Sequence, residues 1–305
     1  MSDKESQSVQ EDIKDDDAPP PYAEQADVQP PPGHQIQRIE TATYLAPSCT
    51  PHRPFPPSLV AIYSWDHWKG FYLCDQASSN EKLFYAQVHT GYSGKPPLGP
   101  RPGVQLHDGT RPTDPVLAAS GDESQASSRV YAFNNRSVVL LPALEQGPNS
   151  ARMDTERMLG LASDEHGAAW RFSVEVGKRE HREKFEWRKI KKGSDENFHH
   201  SAFKLVRLSS RVTQYGTNSG DDGVAGQSSP GISSQEGETV AMLAMCGPSF
   251  TKMFTVNLLG SARSGEVGQR ATLMIVVTAL RLWAMGVKGK TTKTFNSTAQ
   301  KIRSQ

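Results

Sequence analysis

The chain reads as mainly β: a closed antiparallel barrel of about twelve strands around a central hydrophobic C-terminal helix, with a disordered N-terminal arm. Three observations predict it. About a dozen short segments alternate apolar and polar residues with a period of two. One late run, Ala271 to Val287, is apolar on almost every face and interrupted only by Thr272, Thr278 and Arg281. Two further stretches are too polar to join a core. Strands that must close and a helix that must be enclosed are both satisfied when the sheet wraps the helix.

Residues 1–54 form the arm. Its first 33 residues hold nine acidic and two basic side chains, no Trp or Phe, and the proline runs Pro19–Pro21 and Pro30–Pro32, which is the composition of a solvated segment. That segment carries −7 of a chain whose formal charge is +1, so residues 34–305 carry +8 and an anionic partner becomes plausible.

The barrel occupies residues 55–295. Its strands are expected at Leu59–Tyr63, Gly70–Asp75, Lys82–His89, Val104–His107, Val116–Ala119, Arg129–Phe133 and Ser137–Leu141. They continue at Ala168–Val176, Arg182–Ile190, Ala202–Leu208, Thr239–Cys246 and Lys252–Leu259. The clearest is Ala168–Val176, where Ala168, Trp170, Phe172, Val174 and Val176 share one face and Ala169, Arg171, Ser173 and Glu175 take the other. Turn signals such as Asn134-Asn135 and Lys192-Gly193 separate strands, and no 34- or 40-residue repeat points to a solenoid or propeller. Residues 209–236, rich in Ser, Gly, Gln and Asp, read as a flexible insertion.

The central helix is expected over 265–288. Ser261 or Ser264 would cap its start, and Gly286 or Gly289 would end it before Lys288, Lys290 and Lys293, whose charges suit a helix C-terminus. Residues 296–305 are read as a tail. Ala271–Val287 would span roughly 26 Å, slightly short of a hydrocarbon core of roughly 30 Å. Its strongest apolar residues contribute roughly −2 to −4 kcal/mol on an insertion scale and Arg281 costs about 2.5–3.5, so membrane insertion nets to near zero and burial in protein is favoured.

Several function classes find little support. The acidic N-terminus without an apolar leader gives a cytoplasmic expectation, peripheral at membranes, with the nucleus as the other compartment. Cys49, Cys74 and Cys246 are odd in number and widely spaced, which argues against a disulfide framework or a closed zinc site. The sequons at Asn135 and Asn296 are then chance matches. Gly91-Tyr92-Ser93-Gly94 misses the nucleophile elbow because Lys95 stands where the last Gly belongs. Gly289-Lys290-Thr291 misses a phosphate loop because Ala284 replaces the first Gly and the segment follows a helix. His199 and His200, beside Asp195 and Glu196, point to opposite faces of an extended edge and make poor metal ligands. Trp65, His67 and Trp68 precede a strand and fit packing over the barrel mouth as well as a site. No catalytic motif, metal or cofactor is expected.

The order of elements, with Phe185-Glu186-Trp187 on a late strand and the apolar helix near the C-terminus, resembles the tubby C-terminal-like superfamily, which includes the tubby, phospholipid scramblase and LURP-one-related families. The strings from His89 to Gly103 and from Thr272 to Trp283 look like a fungal branch of it, and the resemblance covers roughly residues 55–295. It implies a barrel around a buried helix and an activity class: tubby domains bind phosphoinositides, and scramblase-like members act at membranes.

The residues best placed to carry such binding are Lys178, Arg179, Arg182, Lys184, Arg188, Lys189, Lys191 and Lys192. If Phe185 and Trp187 face the core, Lys184 and Arg188 project outward and offer charge-assisted donors to phosphate. The other reading is a barrel edge whose lysines are solvated and block strand pairing. In the arm, Pro19, Pro20, Pro21 and Tyr22 fit PPxY, a ligand of WW domains whose prolines pre-form an extended helix, and such motifs recruit WW-domain ubiquitin ligases.

The sequence therefore predicts a non-catalytic intracellular tubby-like module, binding anionic membrane lipid, with an arm that recruits a WW-domain protein. The alternative is a membrane-associated scramblase-like protein with residues 271–287 inserted in lipid. A nucleic-acid-binding protein ranks third, because the aromatics alternate into the core and leave no exposed stacking row.

Overall fold

A computed structural model describes residues 51–64, 70–78, 81–123, 135–144, 153–164, 167–177, 181–190, 201–208, 237–246 and 251–304. Within them the alternating segments become twelve strands: β1 (Ser58–Tyr63), β2 (Gly70–Asp75), β3 (Lys82–His89), β4 (Gly103–His107), β5 (Val116–Asp122) and β6 (Arg136–Pro142). They continue as β7 (Met153–Ser163), β8 (Gly167–Val176), β9 (His181–Lys189), β10 (Ala202–Leu208), β11 (Glu238–Met245) and β12 (Lys252–Leu258). Each strand pairs antiparallel with the next, and β12 returns to β1, Val60 lying opposite Thr255. The sheet is a closed barrel, so no edge is left to template another chain.

The period-two pattern places side chains as expected on β8. Ala168, Trp170, Phe172, Val174 and Val176 are buried and Arg171 is exposed, while Ala169, on the outer face, is covered as well. Across the ladder Trp170 faces Trp187 and Phe172 faces Phe185, the phenylalanine rings stacking at 5.5 Å. Such same-face aromatic pairs are what hold neighbouring strands in register.

Helix α1 (Gly260–Arg263) and helix α2 (Gly268–Val287) follow the last strand. Every residue of α2 from Arg270 to Leu282 is buried, and the helix packs against β4, β5, β6, β8, β11 and β12. By length and composition alone it would cross a membrane; here the barrel surrounds it. Neither Ser261 nor Ser264 caps it, contrary to expectation. Val267 holds the N-cap position without a side-chain bond, Ser261 gives its hydroxyl to Glu238, and Ser264 gives its own to the Ser261 carbonyl. The C-terminus behaves as expected: the Lys290 N–H bonds to the Met285 carbonyl and the Gly289 N–H to that of Gly286. This doubly bonded stop requires a left-handed residue, and Gly289 supplies it at φ 68°.

Two arginines enter the helix interior, and both are satisfied. Arg281 bonds to Asp122, to Ser137 Oγ at 3.0 Å and to the Pro102 carbonyl at 3.4 Å. Arg270, near the other end of α2, reaches Glu175 at 3.0 Å, Asp154 at 3.1 Å and the Pro142 carbonyl. A buried guanidinium is tolerable only when its donors are used in this way.

Two expectations about elements are corrected, and a third falls outside the described residues. Strand β7 was not foreseen, because Met, Glu, Arg, Leu and Ala are helix formers; pairing on both sides, to β6 and β8, overrides that propensity. The strand expected at Arg129–Phe133 lies outside the described residues. The expected tail is instead helix α3 (Lys293–Ser304), which packs on β7 through the buried Ala299 and an Asn296 amide donated to the Leu161 carbonyl at 3.0 Å. Both sequon asparagines are buried and hydrogen-bonded, Asn135 to the Gly160 carbonyl at 2.7 Å, which fits chance matches.

Candidate functional site

The basic stretch from Lys178 to Lys192 is continuous in sequence and divided in space. Strand β9 runs from one rim of the barrel to the other, roughly 26 Å at about 3.3 Å per residue. Its start lies at the rim where α2 begins, since the Gly177 N–H bonds to the Val267 carbonyl at 3.0 Å. Its end lies at the rim where α2 stops, where Lys189 Nζ donates to the Thr291 carbonyl at 3.5 Å. No single ligand head group reaches both.

Of the candidate cations, Lys178, Arg179, Lys191 and Lys192 lie outside the described residues, as do Pro19, Pro20, Pro21 and Tyr22 of the arm. Arg182 is engaged by carboxylates, reaching Glu156 and Glu175 at 2.5 Å each, and its pKa is held up by the Glu156 hydrogen bond against partial burial. Arg188 takes the outer face of β9, opposite Phe185 and Trp187, but is covered there and donates to Glu186 at 2.8 Å, while Arg171 meets the other oxygen at 2.6 Å. Burial pushes the Glu186 carboxyl up, but the hydrogen bonds and charges of Arg188 and Arg171 outweigh it and hold it below the ordinary glutamate value. Lys184 and Arg182 are the described candidates exposed on β9, Arg182 being held by its carboxylates, and Lys189 lines a cavity. The charge expected to meet a ligand along mid-strand β9 is therefore largely compensated within the protein.

The rim where α2 stops collects a different set of residues. A cavity of about 870 Å³ opens there between the last turn of α2 and the ends of β1, β2, β11 and β12. Phe71, Met245, Met253 and Trp283 give it apolar walls, and Lys189, Lys252, Ser201 and Thr291 give it polar points. Trp283 is fixed by Phe71 at 4.9 Å and Phe254 at 5.4 Å between ring centres. Cys246 also lines the cavity; burial pushes its thiol up against the opposing charge of Lys252, so it stays neutral. Cys74, on another face, is pushed up to about 11 by burial, with Lys82 opposing.

The same rim carries the three large apolar side chains left most exposed among the described residues: Tyr63 at 47 %, Tyr92 at 85 % and Val287 at 73 %. Lys288 and Lys290 stand beside Val287, and Lys290 Nζ lies 3.7 Å from Asp122. Burial together with the charges of Arg281 and Lys290 pushes the Lys288 ammonium down, Asp122 opposing. Among the described residues, cations thus outnumber carboxylates around this turn. Sequence reasoning named Lys288 and Lys290 only as helix-end charges and missed Tyr63, Tyr92, Lys252 and Val287. The signal was thin, because these residues come together only when strand ends separated by two hundred positions share a rim.

The Gly91–Gly94 motif adds no chemistry. Gly91 to Gly94 is a surface turn closed by a Gly94 N–H bond to the Gly91 carbonyl, and Pro97 and Pro100 shape the turn that continues it. Trp65, His67, Trp68, His199 and His200 lie outside the described residues, within which no cluster of His, Cys, Asp and Glu is arranged to hold a metal. No protein-family model, no curated protein and no solved structure matches the chain.

Proposed function

We propose that the chain is a non-catalytic binding barrel that docks peripherally on an anionic membrane surface by the rim at which α2 ends. The observation that carries this reading is the convergence there of Tyr63, Tyr92 and Val287 with Lys189, Lys252, Lys288 and Lys290. Exposed apolar side chains ringed by lysines suit an interface whose outer layer is anionic and whose next layer is acyl chain. Burial of α2 supports docking over insertion, because the helix that would span a bilayer already has its solvent. The resemblance to the tubby C-terminal-like superfamily belongs to the same proposal. So does the arm, whose Pro19–Tyr22 motif would recruit a WW-domain ubiquitin ligase to the docked barrel; nucleic acid is not part of the reading.

Flotation on vesicles tests it. The full chain is expected to float with phosphatidylcholine vesicles containing phosphatidylserine, to stay behind with phosphatidylcholine alone, and to be released as salt screens the lysines. With about 1 kcal/mol per lysine at such a surface, reversing Lys288→Glu lowers partitioning roughly tenfold or more, and Tyr92→Asp lowers it further. Equal flotation on neutral and anionic vesicles, or no effect of either substitution, contradicts the reading.

A further inference from the structure

The last turn of α2 leaves space on one side. A Cβ added at Gly286 would fit in ordinary van der Waals contact with the Met245 methyl at 3.7 Å and the Thr291 hydroxyl at 3.8 Å, so a side chain can start there without a clash, and Gly286 lines the cavity where the helix ends. That room is the cavity of about 870 Å³, within the range of roughly 300–1,000 Å³ in which proteins enclose small molecules. Its deeper wall is Phe71, Met253 and Trp283, with no carboxylate among its described lining residues. Lys189 and Lys252 line it as well, and Tyr63 and Val287, both exposed, mark where it meets the outside. The chemistry is that of an apolar cleft with two cations in its lining.

We propose that this cavity binds one long-chain fatty acid, its tail between α2 and the β2–β12 wall and its carboxylate at Lys189 and Lys252. The assignment rests on the docking proposal, since the membrane is the source from which such a chain would be drawn. Charge complementarity selects the occupant: an apolar cavity without acidic lining and with two lysines disfavours neutral or cationic amphiphiles and rewards a monoanionic head. The bond from Lys189 to the Thr291 carbonyl is long, at 3.5 Å, and is readily exchanged for a carboxylate. Cys246, kept as a neutral thiol, behaves here as apolar wall.

Titration of the full chain with NBD-labelled stearate, in buffer free of vesicles and below the micelle concentration, tests the assignment. Saturable binding of one probe per chain is expected, with palmitate competing. Because each buried methylene multiplies affinity by about fourfold, decanoate should compete at least a hundredfold more weakly than palmitate. Gly286→Phe fills the space from a helical position and should abolish binding while the melting temperature holds, and Lys189→Glu should weaken binding about tenfold. Absence of probe binding, or parent-like binding by a folded Gly286→Phe variant, overturns the proposal; occupation of the cavity by the chain's own arm would register as the first of these. Palmitate and decanoate competing equally would also overturn it. Flotation without probe binding removes the fatty-acid site and leaves the docking; probe binding without flotation removes the docking and supports the site.

Discussion

Replacing Arg281 by alanine is expected to cost about 3–5 kcal/mol of folding stability, a large share of the roughly 5–15 kcal/mol a domain possesses. Arg281 and Asp122 form an ion pair that is almost entirely withdrawn from water, with side-chain exposures of 3 % and 4 %. Ser137 and the Pro102 carbonyl use its remaining donors, so the guanidinium is satisfied in a place where water cannot help. Removing it leaves Asp122 without its buried partner and with the more distant Lys290, 3.7 Å away. The asymmetry is the diagnostic part. Asp122→Leu alone is expected to be similarly costly, whereas Arg281→Met combined with Asp122→Leu should be close to neutral, because two desolvated charges are traded for apolar contact. Urea unfolding of the parent, Arg281→Met, Asp122→Leu and the double variant gives the coupling energy directly. Single-site losses below about 0.5 kcal/mol would mean that the pair is not buried, and with it that α2 is not enclosed.

The second large effect is expected at Trp187. This side chain is fully buried on β9, faces Trp170 across the β8–β9 ladder, and donates its indole N–H to Thr278 of α2 at 3.0 Å. It therefore ties the wall of the barrel to the helix inside. Trp187→Ala removes a large apolar volume that neighbouring strands, held by ladders on both sides, cannot collapse to fill, and a loss of about 3–5 kcal/mol follows. Trp187→Phe keeps most of the volume and loses the hydrogen bond, for which about 0.5–1.5 kcal/mol is expected. Thr278 is not orphaned by either change, since its hydroxyl also reaches the Met274 carbonyl at 2.7 Å. Thermal unfolding should rank the parent above the phenylalanine variant and that above the alanine variant; an alanine variant as stable as the parent would place Trp187 outside the core.

The parts of this architecture that were legible are those that depend on local periodicity. Ala168 to Val176 alternates strictly because one face meets the core, and the helix from Ala271 announces itself because every face does. The stop of α2 was also legible, since only glycine takes the φ that Gly289 requires at little cost. What could not be read is whatever two distant segments make together. Asp122 and Arg281 are 159 residues apart, and nothing in either neighbourhood names the other. Strand β7 was hidden because its own residues prefer helix. Helix α3 was hidden differently: Phe295, Ala299 and Ile302 fall at helical spacing, but the segment is so polar that the stripe reads as a tail.

The candidate site shows the same division. Counting cations between Lys178 and Lys192 finds a basic segment, but a strand converts neighbours in sequence into opposite ends of a barrel. Glu186 also stands two residues before Arg188, on the same face of β9, and that spacing alone foretells their pairing. By contrast Tyr63 ends β1, Tyr92 follows β3 and Val287 ends α2, and only the closed sheet brings them to one rim.

Hydrogen–deuterium exchange along α2 tests the enclosure of this helix most directly. Amides from Ala271 to Leu282 are expected to exchange as slowly as those of β8 and β9, by unfolding of the whole barrel, in plain buffer and equally when anionic vesicles are added. Rapid exchange of α2 in buffer ahead of the strands, or protection that arises only on adding vesicles, would contradict a helix already surrounded by sheet.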